Sequence, residues 1–422
     1  MKLIAPKGTQ DVLPNDAYKW HYLEELIREV CREFGYKELR TPTFEHTELF
    51  KRGVGETTDV VQKEMYTFED KKGRSITLKP EGTAPVVRAY VERKLSAGPQ
   101  PTKVYYLTPC FRYERPQAGR MREFHQFGVE AFGAQDPTID AEVISIAHRL
   151  FEKLGLENIE LNINSIGCPK CRAIYHEKLK EFLKSKLENL CGTCKERFET
   201  NPMRIIDCKV ESCQAELTDV PLMLDYLCED CEEHFGQVKM YLESIGIPFV
   251  VNPKIVRGLD YYTKTAFEFI SKDIGSQGTV CGGGRYDKLV KEIGGPEVPG
   301  IGFGMGMERL LLTLDNLDIE IPNEETVDVF VVTLGENARK KGFEIVYKLR
   351  KMGYAAELDH LARSAKAQFK YSNKMGSKVN LTLGDQELES GVVMLKDMQK
   401  SEQSEVEINN IYEAVEAILG GK

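Results

Sequence analysis

Apolar residues recur at helical spacing in two segments of the chain, and each segment predicts an amphipathic helix. The first carries its apolar stripe at Trp20, Leu23, Ile27, Val30 and Phe34. We expect Asn15 or Asp16 to cap the N-terminus of this helix, and Gly35 to end it in the left-handed conformation. The second predicted helix spans residues 138–154, and Gly155 stops it.

Four further runs are rich in aromatic, β-branched or glycine residues and predict strands. They are Val104–Tyr113, Phe124–Phe132, Tyr261–Ile270 and Gly300–Met305. A loop of Arg, Gly, Pro and Gln residues joins the first two into a long hairpin, and loops of that length often carry function. Helices in front of such strands predict an α+β domain.

Changes of pattern along the chain predict three parts. The segment 167–236 is charged, helical in pattern and rich in cysteine, and it interrupts the strand-containing region 1–322 as an insertion. From 325 to 422 short strands alternate with helices, which predicts a separate α/β domain.

The net charge of −9 excludes a uniformly basic nucleic-acid-binding protein, so the distribution of charge matters more than its total. Residues 336–380 hold eleven Lys and Arg against four Asp and Glu, and residues 112–122 hold four Arg and one Glu. Either segment could face phosphates, although a solvated helix face and a mobile loop are simpler interpretations. No apolar run spans a bilayer and no signal-peptide pattern is present, so we expect a cytosolic protein without a membrane partner.

One face of the second hairpin strand is polar. Because side chains alternate along a strand, Gln126, Gly128 and Glu130 share one face, and the apolar residues between them share the other. The polar face indicates either a bound polar ligand or exposure to solvent. Arg112, at the end of the opposing strand, could hold a phosphate through two parallel hydrogen bonds.

Three other segments place polar side chains beside glycines or aromatic rings. RGLDYYT begins at Arg257, and CGGGRYD begins at Cys281, where the glycines permit a tight turn or close approach to a ligand. GIGFGMGMER begins at Gly300, and its alternating glycines leave one strand face bare, so that adenine could lie on it beside Arg309. This segment matches neither a Walker loop nor a Rossmann turn.

Eight of the eleven cysteines lie in the predicted insertion as four pairs. The pairs are Cys168 and Cys171, Cys191 and Cys194, Cys208 and Cys213, and Cys228 and Cys231. Short spacing lets both thiolates of a pair reach one tetrahedral zinc ion, so these eight ligands suffice for one or two structural sites. Free thiols, some of them packed in a small core, are the alternative.

Together these segments resemble class II aminoacyl-tRNA synthetases over nearly the whole chain. The hairpin around Arg112 resembles motif 2, the glycine strand with Arg309 resembles motif 3, and the stretch ELRTPTFEHTELFKRGVGETTD resembles motif 1, which supports a dimer interface in that class. RGLDYYT, GGGRYD and the segment 79–83 resemble histidine-specific signatures of histidyl-tRNA synthetases. The resemblance implies a mixed, mainly antiparallel sheet, a helical insertion and a C-terminal anticodon-binding domain.

The resemblance also implies that ATP activates histidine, which is then transferred to the 3′ end of tRNA(His). The residues at the reacting centre would be Arg257, Arg112, Arg309 and Glu81. Histidine would contact Glu81, Gly82, Thr83, Arg112, Gln126, Glu130, Arg257, Tyr261 and Tyr262, with Glu130 near the imidazole. ATP, with Mg²⁺, would contact Arg112, Glu114, Arg120, Phe124 and Arg309.

The implied partners are L-histidine, tRNA(His) and a second copy of the chain in a homodimer. Arg115, Gln117 and Arg122 would meet the acceptor end of the tRNA. The resemblance assigns no role to the cysteine pairs. Two alternatives are a non-catalytic histidine-binding regulatory paralogue and a class II synthetase for another amino acid. The arginines and the tail argue against the first, and RGLDYYT and GGGRYD argue against the second.

Overall fold

The computed structural model describes residues 3–272, 278–323 and 326–421, which divide into two compact units, Met1–Ile321 and Pro322–Lys422. The helices described in the first unit are α1 Pro14–Glu33, α2 Thr47–Val54, α3 Thr83–Glu92, α4 Thr138–Lys153, α5 Pro169–Lys184, α6 Gly192–Thr200, α7 Met203–Ile206, α8 Glu211–Glu216, α9 Glu229–Ser244, α10 Leu289–Glu292 and α11 Met307–Asn316. Its strands are β1 Lys37–Glu38, β2 Phe44–His46, β3 Tyr66–Glu69, β4 Ser75–Leu78, β5 Thr102–Phe111, β6 Glu123–Phe132, β7 Ile159–Ser165, β8 Val250–Val251, β9 Thr263–Ser271, β10 Thr279–Arg285 and β11 Gly300–Gly306.

An eight-stranded sheet in the order β1-β5-β6-β11-β10-β9-β7-β8 forms the centre of this unit. Its neighbours pair antiparallel except β1 with β5 and β7 with β8, so the predicted mixed, mainly antiparallel sheet is confirmed. The predicted long hairpin is β5 and β6, whose register pairs Val104 with Glu130 and Phe111 with Glu123. A second, three-stranded sheet has the order β2-β4-β3.

The two faces of the large sheet pack against different helices. On one face, Phe127, Val129 and Ala131 join a core that includes buried residues of α1, α4, α9 and α11. On the other face, Tyr106 and Phe132 pack with residues of α3 and of the cysteine-rich segment. The predicted alternation along β6 is therefore confirmed, and its polar face is covered by protein rather than open to solvent.

The first helix begins differently from our prediction. Its N-cap is Leu13 and Pro14 occupies the first turn, so neither Asn15 nor Asp16 is the cap. Proline is favoured there because it lacks the N–H group that would have no helical partner, and its fixed φ suits the first turn. Gly35 follows the helix with a φ of +76°, as predicted.

The cysteine-rich segment is helical and carries α5 to α8. Its buried residues Tyr175, Leu179 and Ile205 share one core with Val86 and Tyr106. The next helix, α9, begins at Glu229 and continues to Ser244, beyond the predicted limit of the insertion at 236. None of the described helices is both long and apolar enough to cross a membrane.

The second unit is built around a five-stranded sheet. Its elements are β12 Val329–Leu334, α12 Glu336–Lys351, β13 Ala356–Leu358, α13 Ala365–Lys374, β14 Val379–Gly384, α14 Asp385–Ser390, β15 Val392–Asp397, β16 Glu402–Glu407 and α15 Ile411–Leu419. The strand order is β13-β12-β14-β15-β16, with the first three parallel and the last two antiparallel to their neighbours. The sequence pattern did not predict the six-residue helix α14.

Candidate active site

A fully buried carboxylate marks the polar face of β6. Glu130 is 0% exposed and accepts hydrogen bonds from the hydroxyl of Tyr106, at 3.3 Å, and from that of Tyr286. Burial raises the pKa of Glu130 to about 8, although hydrogen bonds from Tyr286, Thr83 and Tyr106 act in the opposite direction. This carboxyl group can therefore be neutral or charged near neutral pH.

Glycines make space for these side chains. A Cβ atom at Gly128 or Gly82 would collide with the ring of Tyr106, and one at Gly302 would collide with the carboxylate of Glu130. Our prediction of a bare strand face along β11 is therefore wrong at its centre. Glu130 lies over Gly302, and the side chain of Gln126 lies over Gly304.

The segment 79–83 lies beside this carboxylate. The side-chain oxygen of Gln126 accepts a hydrogen bond of 2.9 Å from the backbone N–H of Gly82. The buried carboxylate of Glu81 accepts 2.7 and 2.8 Å hydrogen bonds from the backbone N–H groups of Thr83 and Ala84 at the start of α3. Glu81 thus stabilises a helix N-terminus, and its oxygens retain lone pairs that could accept an ammonium group.

Arg257, Tyr261 and Tyr262 lie in the turn that precedes β9, and all three are largely buried. The ring centroid of Tyr261 lies 4.5 Å from that of Tyr262 and 5.6 Å from that of Tyr286. The guanidinium group of Arg257 lies 5.3 Å from the ring centroid of Tyr262 and forms an ion pair with Glu268 on β9.

Gly282 makes the position of Arg257 possible. A Cβ atom at Gly282 would lie 2.6 Å from the guanidinium nitrogens of Arg257, closer than real Cβ contacts. The CGGGRYD glycines therefore lie within strand β10 rather than in a turn, and one of them accommodates a cation.

Three arginines gather around one carboxylate at the end of the hairpin. Arg120 donates a 3.2 Å hydrogen bond to Glu114, and a guanidinium nitrogen of Arg112 lies 3.9 Å from the same carboxylate. Burial lowers the pKa of Arg309, and the nearby cations Arg120 and Arg112 lower it further. The carboxylate of Glu64 also lies near Glu114, Arg112 and Arg120. Three positive charges therefore face two carboxylates, and the excess positive charge favours an anionic ligand.

Arg112 connects the arginine cluster to the buried carboxylates. Its Nε donates a 2.7 Å hydrogen bond to the carbonyl of Pro80, next to Glu81. Its guanidinium group also lies 5.4 Å from the ring centroid of Phe124. The structure therefore places Arg112, which is predicted to bind both ATP and histidine, directly beside Glu81 of the segment 79–83.

The three residues predicted to meet tRNA differ in exposure. Arg115 and Gln117 are exposed on the loop between β5 and β6. Arg122 is half-buried at the base of the loop, where its guanidinium group lies 3.9 Å from the ring centroid of Tyr113 and donates a 3.2 Å hydrogen bond to the Glu114 carbonyl.

Sequence reasoning missed three side chains that shape this site: Tyr106, Tyr286 and Glu268. The first had a detectable signal, since Tyr106 pairs with Gly128 across the hairpin and a bulky ring beside glycine indicates close packing. Tyr286 lay in a segment that we had singled out without giving it a role. No feature of the neighbouring sequence indicates that Glu268 belongs to the site, because its ion pair with Arg257 depends on the conformation of the turn before β9.

The eight clustered cysteines gather as two groups of four. Cys168 and Cys171 meet Cys228 and Cys231, while Cys191 and Cys194 meet Cys208 and Cys213. Within each group the sulfur atoms all lie within 4.8 Å of one another.

Comparison with known proteins gives the same assignment as the motifs. The family model described as histidyl-tRNA synthetase matches residues 8–310, and the one described as anticodon binding domain matches residues 328–418. The histidine–tRNA ligase of Caldanaerobacter subterraneus subsp. tengcongensis is 60% identical over 411 residues, which are 97% of this chain and 99% of that protein. That of Alkaliphilus oremlandii is 60% identical over 415 residues, which are 98% of this chain and 99% of that protein. The crystal structure of apo S. aureus histidyl-tRNA synthetase matches with a TM-score of 0.84 at 40% identity, covering 98% of this chain and 100% of that one. The chain therefore belongs to the histidyl-tRNA synthetase family.

Proposed function

We propose that this chain is a histidine–tRNA ligase, which activates histidine with ATP and transfers it to the 3′ end of tRNA(His). The observation that carries the amino-acid specificity is the carboxylate of Glu130, fully buried beside Tyr106 and Tyr286. Two relatives that are 60% identical over almost their whole length carry the name of this activity.

Imidazole complements Glu130 in either protonation state. A neutral imidazole has one nitrogen that donates and one that accepts, so it can donate to the carboxylate or accept from the carboxylic acid. An analogue without these nitrogens would leave a buried polar group without a partner, which strongly disfavours its binding. In this proposal Glu130 contacts the imidazole, Gln126, Tyr261 and Tyr262 surround the substrate, and Glu81 with Gly82 and Thr83 binds the amino group.

The arginine cluster suits the activation step. The histidine carboxylate attacks the α-phosphorus of ATP, pyrophosphate leaves, and negative charge spreads over the phosphoryl oxygens in the transition state. Fixed cations and precise positioning are the main catalytic devices for such a step, so no protein nucleophile is required. We assign Arg112 and Arg257 to the α-phosphate and the reacting centre, and Arg120 and Arg309 to the outer phosphates.

Glu114 and the ring of Phe124 would hold the adenosine. The two cysteine groups are the only clusters of three or more metal-binding side chains found in the described residues. Mg²⁺, bound to the phosphates of ATP as is common for this ion, would neutralise part of their charge.

In the second step a ribose hydroxyl at the 3′ end of the tRNA attacks the carbonyl carbon of the adenylate, and AMP leaves. Arg115 and Gln117, exposed on the hairpin loop, would meet the acceptor end, with Arg122 at the base of the loop. We further propose that residues 1–322 catalyse both steps and that residues 325–422 bind the anticodon stem, in line with the match of 328–418 to anticodon binding domains.

We also propose that the enzyme works in the cytosol as a homodimer, with zinc as a structural ion of the cysteine-rich segment. The dimer is supported by Phe44 and Phe68 on the small sheet, whose side chains are 56% and 49% exposed. Exposed apolar side chains of this size are common at protein interfaces.

The test is ATP–pyrophosphate exchange with each of the twenty amino acids, without tRNA. Exchange with histidine alone is the expected result, because the buried carboxylate of Glu130 would pair with the imidazole. Exchange with a different amino acid, or with none, would overturn the proposed specificity. A folded protein that binds histidine without exchange would instead be a regulatory histidine-binding protein.

A further inference from the structure

We propose that the eight clustered cysteines form two separate structural zinc sites, and that the second site holds a loop of the cysteine-rich segment against the active site. The first zinc site consists of Cys168, Cys171, Cys228 and Cys231. The second zinc site consists of Cys191, Cys194, Cys208 and Cys213. The proposed effect on activity rests on the proposed function, whereas the two metal sites do not.

The sulfur positions fit tetrahedral zinc. With Zn–S bonds of about 2.3 Å, the edges of the tetrahedron are about 3.8 Å long. The sulfur of Cys168 lies 3.5 Å from that of Cys171 and 3.9 Å from that of Cys228, and the sulfurs of Cys191 and Cys208 are 3.9 Å apart. These separations are far longer than the roughly 2.05 Å bond of a disulfide.

Backbone groups around both sites favour thiolates. The N–H of Cys228 donates a 3.1 Å hydrogen bond to the sulfur of Cys171, and the N–H of Cys191 donates a 3.2 Å bond to the sulfur of Cys213. Cys168, Cys191 and Cys228 are also the N-cap residues of α5, α6 and α9, where the helix dipole stabilises negative charge. Outer hydrogen bonds of this kind orient metal ligands.

Each site joins parts of the chain that are distant in sequence. The first joins the start of α5, just after β7, to the start of α9, so it closes the base of the cysteine-rich segment. The second joins the start of α6 to Cys208 and Cys213, which lie on either side of the start of α8. It therefore closes residues 195–207, which include most of α6 and all of α7, into a loop. Four thiolates complete the coordination of zinc, which makes both ions structural.

The loop closed by the second zinc site contacts the active-site segment directly. Asn201 donates a 2.8 Å hydrogen bond to one carboxylate oxygen of Asp260, whose other oxygen accepts a 2.6 Å bond from Thr57. Arg197 forms a 2.8 Å ion pair with Asp59. Asp260 lies between Arg257 and Tyr261 in sequence, so the loop is hydrogen-bonded to the segment that carries these two side chains.

A cavity lies where this loop meets the segment that carries Arg257 and Asp260. It has a volume of about 210 Å³, and its lining includes Asn201 and Arg204 from the loop together with Arg257 and Asp260. A displacement of about 1 Å at a catalytic group can lower a rate by 10²-fold. Releasing the loop should therefore affect activity even though zinc takes no part in the reaction.

Metal content is measured on the full-length protein by native mass spectrometry and elemental analysis. We expect two zinc ions per chain. The paired substitutions Cys171→Ser with Cys231→Ser, and Cys194→Ser with Cys213→Ser, should each leave one ion. Cys31→Ala, at a buried thiol outside both groups, should leave two. No zinc in the wild type, iron in its place, or a single ion shared by all eight cysteines would overturn the two sites.

Contact with the active site is tested by Asn201→Ala, which leaves every cysteine in place. This variant should keep two zinc ions and lose about tenfold or more in histidine-dependent exchange. Asn201→Asp combined with Asp260→Asn should restore exchange, because the amide at 260 can donate to the carboxylate at 201 and still accept from Thr57.

Unchanged exchange in Asn201→Ala would overturn the positioning role. A wild type with two zinc ions but no histidine-dependent exchange would instead contradict the proposed function and leave the metal sites standing.

Discussion

Glu130 illustrates how this protein places an ionisable group where water is excluded. Its carboxylate is fully buried, yet tyrosine hydroxyls hydrogen-bond to it, which reduces the cost of burial. Glu81 and Arg257 follow the same pattern, because each has protein partners in this structure and further capacity for a ligand. At the scale of residues, the site is a set of buried polar groups already held in position.

The first prediction at this scale concerns the pH dependence of stability. Since burial raises the pKa of Glu130 from 4.5 to about 8, the folded state binds a proton more tightly than the unfolded state. This contribution to stability is complete below pH 4.5 and is lost as the pH rises through about 8. Thermal unfolding without histidine should show the wild type losing stability relative to Glu130→Gln over this interval. If the stabilities of the wild type and of Glu130→Gln changed with pH in the same way, the burial argument would be contradicted.

Glu130→Gln should also weaken the use of histidine. Above pH 8 the Glu130 carboxyl group is charged. A hydrogen bond to a charged group contributes roughly 1.5–3 kcal/mol, so KM for histidine at this pH should rise by about 10- to 150-fold. KM for ATP should change little, because Glu130 lies away from the arginine cluster. Equal changes in both constants in the exchange assay would indicate a general structural defect instead.

Arg257→Ala should lower exchange by at least about 100-fold, as expected when a fixed charge is removed from a transition state. It also leaves Glu268 without its partner, so some loss of thermal stability is expected. Adding Glu268→Gln should recover stability without recovering exchange. Recovery of exchange in the double variant would mean that Arg257 only neutralises Glu268.

At the scale of elements, the site depends on glycines inside strands. Gly302 on β11 lies under Glu130, and Gly282 on β10 lies under Arg257. Glycine inside a strand lowers the stability of the sheet, because it has no side chain to pack. At these positions the missing side chain leaves the space that Glu130 and Arg257 occupy.

Gly302→Ala should therefore displace Glu130. We expect a loss of roughly 1–3 kcal/mol in unfolding free energy, typical of overpacking, together with loss of histidine-dependent exchange. Gly236→Ala is the control, since Gly236 is exposed within α9 with open space around it. That control should gain about 0.5–1 kcal/mol and keep full activity. Similar melting temperatures for Gly302→Ala and Gly236→Ala would contradict the packing argument.

Elements with strong local signals could be predicted from the sequence. The periodicity of α1 and α4 and the aromatic runs of β5 and β6 gave their positions within a few residues. The short polar helix α14 was missed, because its start is stabilised by a contact of Glu387 with the backbone of Gly384 rather than by an apolar stripe.

Long-range partners could not be predicted in the same way. Spacing showed that the cysteines come in pairs, but not that the first pair meets the last. Likewise, the alternation along β6 placed Glu130 on a polar face, but only the tertiary structure brings Tyr286 to it.

At the scale of the whole molecule, each of the two compact units has a hydrophobic core of its own. Leu317, Ile319 and Ile321 pack on the core of the first unit, so this unit keeps its apolar contacts up to its end. The second unit buries residues of β12, β14 and α12 around a separate sheet. This division matches the proposed separation of chemistry from anticodon binding.

A chain ending at Ile321 should therefore keep histidine-dependent exchange and lose most of its tRNA charging. Circular dichroism would first establish that the shortened chain is folded. Loss of exchange from a folded shortened chain would show that the chemistry needs the second unit.

The dimer can be tested by light scattering coupled to gel filtration. We expect twice the chain mass of 47.9 kDa for the wild type. Phe44→Glu with Phe68→Glu should shift the protein toward the monomer, because both exposed side chains lie on the small sheet that we propose as the interface. A wild-type monomer at all concentrations would contradict the proposed assembly.

The most direct test of the proposed ligase activity is a charging assay with ATP, radiolabelled histidine and a panel of tRNA transcripts. We expect histidine to become esterified to the 3′ end of tRNA(His) alone, with release of AMP. Formation of the adenylate without transfer, or transfer to other tRNAs at a similar rate, would contradict it.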